Sequence, residues 1–289
     1  MHLPVRQPFR LELRWLRSQA FRWRERNGWY YGVVKGHPIK VRPSGNGIEF
    51  RSNVPAGSLQ SHVQTYFRLD QDIKPVHDAL RRVDATMRRL VEQYGYVRIL
   101  RQDPWECLVS YICSQNNNID RIAGIVDMLA GKYGDPSILD GVPCNSFPPP
   151  QRLFEVGETE LNGLRLGLDR GHLIWTVARD VTEGRLDLNA LSRFPYARSK
   201  SLLMSYKGIG PKIAGCVCLF ALDKAEAFPV DRHTAAALSE FYGKKHESGA
   251  KNVGLLRWAR EHFGADHAGY ASQLLFYDQI QRTGGARQQ

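Results

Sequence analysis

The 289-residue chain is first defined by what it lacks. No apolar run approaches the ~18 residues needed to cross a membrane, so no membrane partner is expected. The stretch MHLPVRQPFRLELRWLRSQAFRWRERNG is rich in arginine but has no uninterrupted apolar core, so no secretory signal is expected. An organellar presequence is the lesser reading, and Glu12 and Glu25 oppose it. Cysteine is scarce: Cys107, Cys113, Cys144, Cys216 and Cys218 are an odd number without the spacing of a disulfide framework. Cys216 and Cys218 fall in one apolar segment, which suits a reducing cytoplasm. Four closely spaced cysteines are absent, so neither an iron–sulfur cluster nor any cysteine-bound metal cofactor is expected. No internal repeat and no low-complexity tract occurs.

What is present is an ordinary globular balance, 43% hydrophobic and 24% charged, in a chain long enough for one or two domains. The charge is lopsided. Forty lysines and arginines against 29 acidic residues give +11, and the basic residues are spread along the chain rather than gathered in a tail. A polyanion is the natural partner, because each phosphate contact releases condensed counterions. Charge alone leaves a basic but indifferent surface as an equal reading.

The first third reads as strands. FRLELRWL alternates in part, and WYYGVVKGHPIKVRPSGNGIEFRSNV has β-branched and aromatic runs broken by glycine, proline and asparagine. From about Leu69 the pattern turns helical: Val76, Leu80, Val83, Met87, Leu90 and Val91 share a helical spacing in DIKPVHDALRRVDATMRRLVEQYG. Further helices are predicted over 104–116, 118–133, 151–155, 158–164, 170–183, 197–205, 211–222, 232–242, 252–263 and 268–282. DGVPCNSFPPPQ reads as a loop, since its prolines fit neither helix nor sheet. The expected class is α+β: a small antiparallel β domain over residues 1–70, then a larger all-α body over 71–289 with a helical hairpin at about 197–222.

The hairpin carries the chemistry. In YKGIGPK, Gly208 and Gly210 allow positive φ and a close approach to another molecule. Pro211 suits the first helical position, and the backbone N–H groups of the new helix form an anion site, with Lys207 just before it. The loop is not a Walker motif, because the four-residue spacer and the following Ser/Thr are missing. Lys212 falls in the first turn, where a cation opposes the positive end of the helix dipole, so the free amine required of a Schiff-base nucleophile is favoured. A surface lysine touching a phosphate is the alternative. Asp231 can reach this amine: helix 211–222 is about 18 Å long at ~1.5 Å per residue, and residues 223–230 can span up to about 26 Å. Pro229 favours an extended return course. Asp231 then also stands at the N-cap of helix 232–242, a role compatible with the first.

GIGPKIAGCVCLFALDKAEAFPVDRH resembles the helix-hairpin-helix signature of DNA glycosylases, and more narrowly that of the bifunctional 8-oxoguanine glycosylase/lyases. RILRQDPWECLVSYICSQNNNIDRI, residues 98–122, is similar to a second block of that family; RSQAFRWRE and YASQLLFYDQ are weaker matches. The resemblance spans about residues 10–283. It implies excision of oxidised guanine from duplex DNA, opposite cytosine, by a monomer that needs no cofactor. The setting would be the cytoplasm or nucleoid of a prokaryote or the nucleus of a eukaryote. By the same resemblance Lys212 attacks C1′ and Asp231 stabilises the sugar cation. His233 lies near a phosphate, and the Gly208, Gly210 and Lys212 amides meet another. The carbonyls of Met204, Tyr206 and Ile209 hold a monovalent cation. Cys216 and Phe276 sandwich the extruded base, Asn116 fills its vacated place, and Arg121 helps to read cytosine.

The chain departs from the family at several places. Ser18 replaces a glycine whose carbonyl reads the lesion. The glutamine for the base edge falls on Ser272, with Gln273 one position on. The tyrosine–arginine pair that kinks the duplex and grips cytosine reads Leu168–Asp169: Leu168 can still act as a wedge, but Asp169 cannot donate to cytosine. Two other readings remain. A monofunctional alkyl-base glycosylase would activate water with the aspartate and need no lysine at 212. A non-catalytic helix-hairpin-helix module would need neither residue.

Overall fold

The computed structural model describes residues 1–5, 7–164, 166–167, 169–245 and 253–285, with the backbone alone at 56, 253, 284 and 285. Two tight turns shape the amino-terminal sheet. Asn27–Gly28 and Lys35–Gly36 have positive φ at both positions (53° and 74°, 51° and 76°), the two-residue geometry whose twist matches that of paired strands. They join β2 (Arg24–Arg26), β3 (Trp29–Val34) and β4 (His37–Ser44). With β1 (His2–Pro4) and β5 (Gly47–Ser52) these make a five-stranded antiparallel sheet of order β1-β5-β4-β3-β2. Val34, Ile39, Val41, Ile48 and Phe50 point into the main core. The other face places Trp29 and Tyr31 against Leu139, Val142 and Cys144. Leu139 and Val142 belong to a small hairpin of β6 (Ile138–Leu139) and β7 (Val142–Pro143), turned by Asp140–Gly141; its turn and second strand fall at the start of the segment expected to be loop.

Three expectations for the first hundred residues are corrected. FRLELRWL is not a strand, because α1 (Leu13–Gln19) occupies its second half. Its partial alternation is outweighed by Trp15, Leu16 and Gln19, which are all buried and fall on one helical face. A second helix went unread, α2 (Ala56–Tyr66), whose Leu59, Val63 and Tyr66 recur at helical spacing and pack over the sheet. The helical run beyond Leu69 is broken into α3 (Lys74–Val83) and α4 (Ala85–Tyr94). Asp84 makes the break. It is extended (φ −163°, ψ 177°), caps α4 by accepting from the Met87 amide at 2.8 Å, and also receives His262 Nε2 at 2.9 Å.

The remaining helices follow the predicted pattern to within a few residues: α5 (Pro104–Cys113), α6 (Ile119–Tyr133), α7 (Pro150–Val156), α8 (Glu158–Gly163), α9 (Arg170–Thr182), α11 (Tyr196–Met204), α12 (Pro211–Ala221), α13 (Arg232–Tyr242), α14 (Val253–Phe263) and α15 (Ala268–Gly285). A short α10 (Leu188–Arg193) was not foreseen. α5 and α12 form the centre. Trp105 and all of Cys107–Cys113 are buried, as is the whole of Ile213–Phe220. One apolar core runs from Leu3 to Ile280, taking in the inner face of the sheet and the helices alike. No helix among the described residues is long and apolar enough to cross a membrane.

Trp23 anchors the sheet to the helices. Its indole N–H donates to the Tyr66 hydroxyl at 2.9 Å, and its ring lies where a Cβ on Gly32 would come within 2.8 Å. Gly32→Ala is therefore expected to destabilise the protein by about 1–3 kcal/mol through overpacking. Gly57→Ala, in open space on α2, is expected to be neutral or stabilising by up to about 1 kcal/mol. Thermal unfolding of the two variants distinguishes them.

Candidate active site

The site forms where two helix ends converge. α12 starts at Gly210, with Pro211 at its first position and Lys212 at its second. No side chain among the described residues caps it, so its leading N–H groups are open to an anion. In the preceding turn Gly208 has φ +103°, and a Cβ there would press on Leu173 at 3.0 Å, so glycine is required on both counts. Lys212 does not splay into solvent. Its Nζ donates to Ser114 Oγ at 2.8 Å, just beyond the carboxyl end of α5, and lies 5.5 Å from the centre of the Tyr111 ring. That ring is stacked on Phe220 (centroids 5.6 Å apart, planes at 9°) and meets Phe21 edge-on. The Tyr111 hydroxyl donates to the Gln19 carbonyl at 3.2 Å.

The return segment takes the course its length allows. Pro229 packs beside Gly215, where a Cβ would lie 3.5 Å away, so the chain runs back along α12 to within a turn of Lys212. Asp231 follows as the N-cap of α13, its Oδ1 accepting from the amides of His233 (3.0 Å) and Thr234 (2.8 Å). Both bonds fall on one oxygen. Asp231 makes no direct ion pair with Lys212 among the described residues, but the two side chains line the same cleft of about 1310 Å³. Cys216 lies between their influences. Burial pushes its thiol up to about 12, the Lys212 charge pulls it down and Asp231 adds to the rise.

Most of the expected pocket residues share this cleft. Ser18, Asn116, Cys216, His233, Gln273 and Phe276 all line it, and Phe276 stands edge-on to His233 at 5.7 Å. Ser18 turns its hydroxyl to the Trp15 carbonyl at 2.8 Å. Ser272 is a correction: it is wholly buried, its hydroxyl donates to the Pro229 carbonyl at 3.2 Å, and it does not line the cleft. Neighbours on a helix point about 100° apart, and on α15 it is Gln273 that faces the cavity. In the asparagine run, Asn117 donates to the Cys113 carbonyl (2.8 Å) and Asn118 caps α6 through the Arg121 amide (2.9 Å). Asn116 is left exposed at φ +50°.

The other expected residues surround the cleft. Arg121, Lys207 and Gly208 are exposed and Gly210 is half-buried, and none forms part of the cleft wall. Met204 is exposed, Ile209 is buried, and the Tyr206 carbonyl accepts from the Ile209 amide at 2.9 Å. Leu168 lies outside the described residues. Asp169 is exposed at the N-cap of α9 without a side-chain capping bond. Among the described residues no group of three or more His, Cys, Asp and Glu side chains is placed to hold a metal ion.

Sequence reasoning missed the residues that hold these parts together. Ser114 and Lys212 are 98 positions apart, and nothing local signals their contact. Gln115 donates its side-chain amide to the Gly208 carbonyl. Arg170 is buried and donates to the carbonyls of Leu166, Gly167 (2.9 Å) and Gln115. Burial draws its pKa below the usual arginine value.

Comparisons with known proteins agree on what the chain is similar to. Residues 3–108 match the family model of the 8-oxoguanine DNA glycosylase N-terminal domain. An N-glycosylase/DNA lyase of Saccharomyces cerevisiae is 35% identical over 198 residues, which are 64% of this chain and 52% of that protein, so the match takes in about half of the yeast enzyme. A structure of MBOgg1 in complex with a low-affinity DNA ligand superposes with a TM-score of 0.88 at 29% identity, covering 98% of this chain and 95% of that one. The Clostridium acetobutylicum 8-oxoguanine glycosylase/lyase, in complex with double-stranded DNA containing cytosine opposite 8-oxoguanine, gives 0.86 at 27%, with 98% of each chain covered. The fold is that of the helix-hairpin-helix superfamily of DNA glycosylases. Within it, residues 3–108 are similar to the N-terminal domain of the 8-oxoguanine DNA glycosylases, and nearly the whole chain is similar to the Clostridium 8-oxoguanine glycosylase/lyase.

Asp231 has a structural part that can be separated from any chemistry. Asp231→Ala removes the cap of α13 and is expected to destabilise by about 1 kcal/mol, whereas Asp231→Asn, which still caps, stays within about 0.5 kcal/mol of the parent. Chemical denaturation of the two variants checks this.

Proposed function

We propose that the protein excises 8-oxoguanine from duplex DNA and then nicks the strand by β-elimination, acting as a monomer in base excision repair. The observation that carries this reading is the Lys212 amine, held by Ser114 at the start of α12 and facing the same cleft as the Asp231 carboxylate. A stacked base is out of reach, so the damaged nucleotide is turned out of the helix into the cleft. Lys212 Nζ forms a bond to C1′ as the bond from C1′ to the base breaks, and the base leaves with a proton. Asp231 stabilises the cationic sugar during this exchange. Opening of the sugar gives a Schiff base, and loss of a C2′ proton then expels the 3′ phosphate.

The surrounding residues take roles consistent with their places. Cys216 and Phe276 flank the base, Gln273 meets its edge, and Ser18 lies beside it. Asn116 enters the vacated stack with Arg121 nearby, and Leu168 is assigned the wedge. His233, Lys207, Gly208 and Gly210 meet backbone phosphates. A monovalent cation held by the carbonyls of Met204, Tyr206 and Ile209, at the negative end of α11, would strengthen that phosphate contact.

Borohydride is expected to trap the protein covalently on a duplex carrying 8-oxoguanine opposite cytosine, and Lys212→Gln to abolish trapping. Trapping that persists in Lys212→Gln refutes the assignment, and base release without any trapping favours the monofunctional alternative.

The exposed Asp169 generates a second expectation. A good bidentate base contact discriminates by about 1–3 kcal/mol, and a carboxylate cannot supply one to the acceptors of cytosine. Single-turnover excision rates opposite the four bases are therefore expected to lie within about tenfold of one another. A preference for cytosine above about a hundredfold excludes this view.

A further inference from the structure

Ser114 follows the last residue of α5 and is 6% exposed. A serine hydroxyl has one proton to give and two lone pairs to receive with. Here the proton is committed. Ser114 Oγ lies 2.7 Å from the Tyr111 carbonyl, which has no hydrogen to offer and also accepts the Ser114 amide at 3.1 Å. Toward Lys212 Nζ, at 2.8 Å, the hydroxyl can therefore only accept.

We propose that Ser114 is a positioning residue for the reaction: it holds Lys212 by one N–H and, being unable to donate, leaves the lone pair of the neutral amine free to face the cleft. The opposite arrangement would be inhibitory. A hydroxyl proton aimed at Nζ would occupy the electron pair that must attack C1′, and the Tyr111 carbonyl removes that option by drawing the proton to itself. The contact serves both protonation states. An ammonium uses one of its three N–H groups on Ser114, and the neutral amine uses one of its two, so the anchor persists when the proton leaves.

The packing limits movement of both partners. Oγ is fixed by its own helix end, and the Tyr111 backbone is fixed by a ring stacked on Phe220 of α12, the helix that bears Lys212. An orientation set in this way accelerates attack without requiring contact between Ser114 and DNA.

The inference rests on Lys212 being the nucleophile, and the test separates the two claims. Full-length Ser114→Ala, Ser114→Thr and Lys212→Gln are compared by equilibrium binding to the 8-oxoguanine:cytosine duplex, single-turnover excision and borohydride trapping. Ser114→Ala is expected to bind with a Kd within about twofold of the parent, which also reports that it is folded. Its excision is expected to be slower by about tenfold to a hundredfold, the range for loss of a hydrogen bond to a charged or reacting group. Ser114→Thr, which keeps the hydroxyl, is expected to recover to within about fivefold. Excision by Ser114→Ala at the parent rate, or Ser114→Thr as slow as Ser114→Ala while both bind normally, overturns the proposal. Trapping that survives in Lys212→Gln removes the nucleophile reading itself, whatever the serine variants do.

Discussion

The junction between the carboxyl end of α5 and the amino end of α12 is the constraint on which the site depends. One hydrogen bond, from Lys212 to Ser114, joins the two ends, and the amine stands between the positive end of one helix and the negative end of the other. The next residue, Gln115, ties the same turn to Gly208 in the hairpin through its side chain. Asn116 then projects into the cleft. Three consecutive residues thus fix the lysine, the glycine turn and the asparagine relative to one another. Because α5 and α12 are buried almost all round, none of these parts can shift without disturbing the core.

The second wall follows from the first. Pro229 packs over Gly215 of α12 as the chain returns, where a Cβ would be in ordinary van der Waals contact at 3.5 Å. The return is what delivers Asp231 to the cleft. The carboxylate is then fixed by two amides on one oxygen, which sets its orientation through backbone geometry rather than through an ion pair with Lys212. A direct salt bridge would hold both charges in a ground-state embrace. Separate anchors leave room between them, and on the proposed reaction that room is where the sugar must sit.

Local pattern made part of this legible. Periodicity located nearly every helix of the second half, because those helices bury whole faces, and the glycine–proline signature placed Lys212 in a first turn. The reach of residues 223–230 and the capping role of Asp231 followed from chain length and residue chemistry. What failed was non-local or lay between two periods. The FRLELRWL stretch carries both a partial alternation and a helical face, and only packing decides between them. Asp84 looks like any exposed residue of a continuous helix until His262 of α14 is seen beside it. Ser272 and Gln273 differ by one position, and only the rotation of α15 shows which of them faces the cleft. Ser114 lies inside the block 98–122, but nothing in that block points to Lys212, 98 positions on, and the contact of Arg170 with Gln115, 55 positions away, has no local signal either.

Arg170, the first residue of α9 beyond the loop after α8, braces the turn that carries Gln115. A buried guanidinium is costly unless its donors find partners, and here the two terminal nitrogens meet the carbonyls of Leu166, Gly167 and Gln115, while Nε has no partner among the described residues. Arg170 is thus turned inward as a brace, while the preceding, exposed N-cap position carries the carboxylate of Asp169. The brace ends on Gln115, between Ser114 and Asn116. Its contact with the Gln115 carbonyl stiffens the turn that presents Asn116 and holds Lys212. On the proposed function this shifts recognition of the widowed base from a donor on this loop toward Asn116, whose position the brace controls. The net basic charge of the chain still provides the attraction to phosphate, and that attraction is indifferent to sequence. Binding strength and base selectivity are thus set by different residues, and a chain with this loop can retain the one while loosening the other.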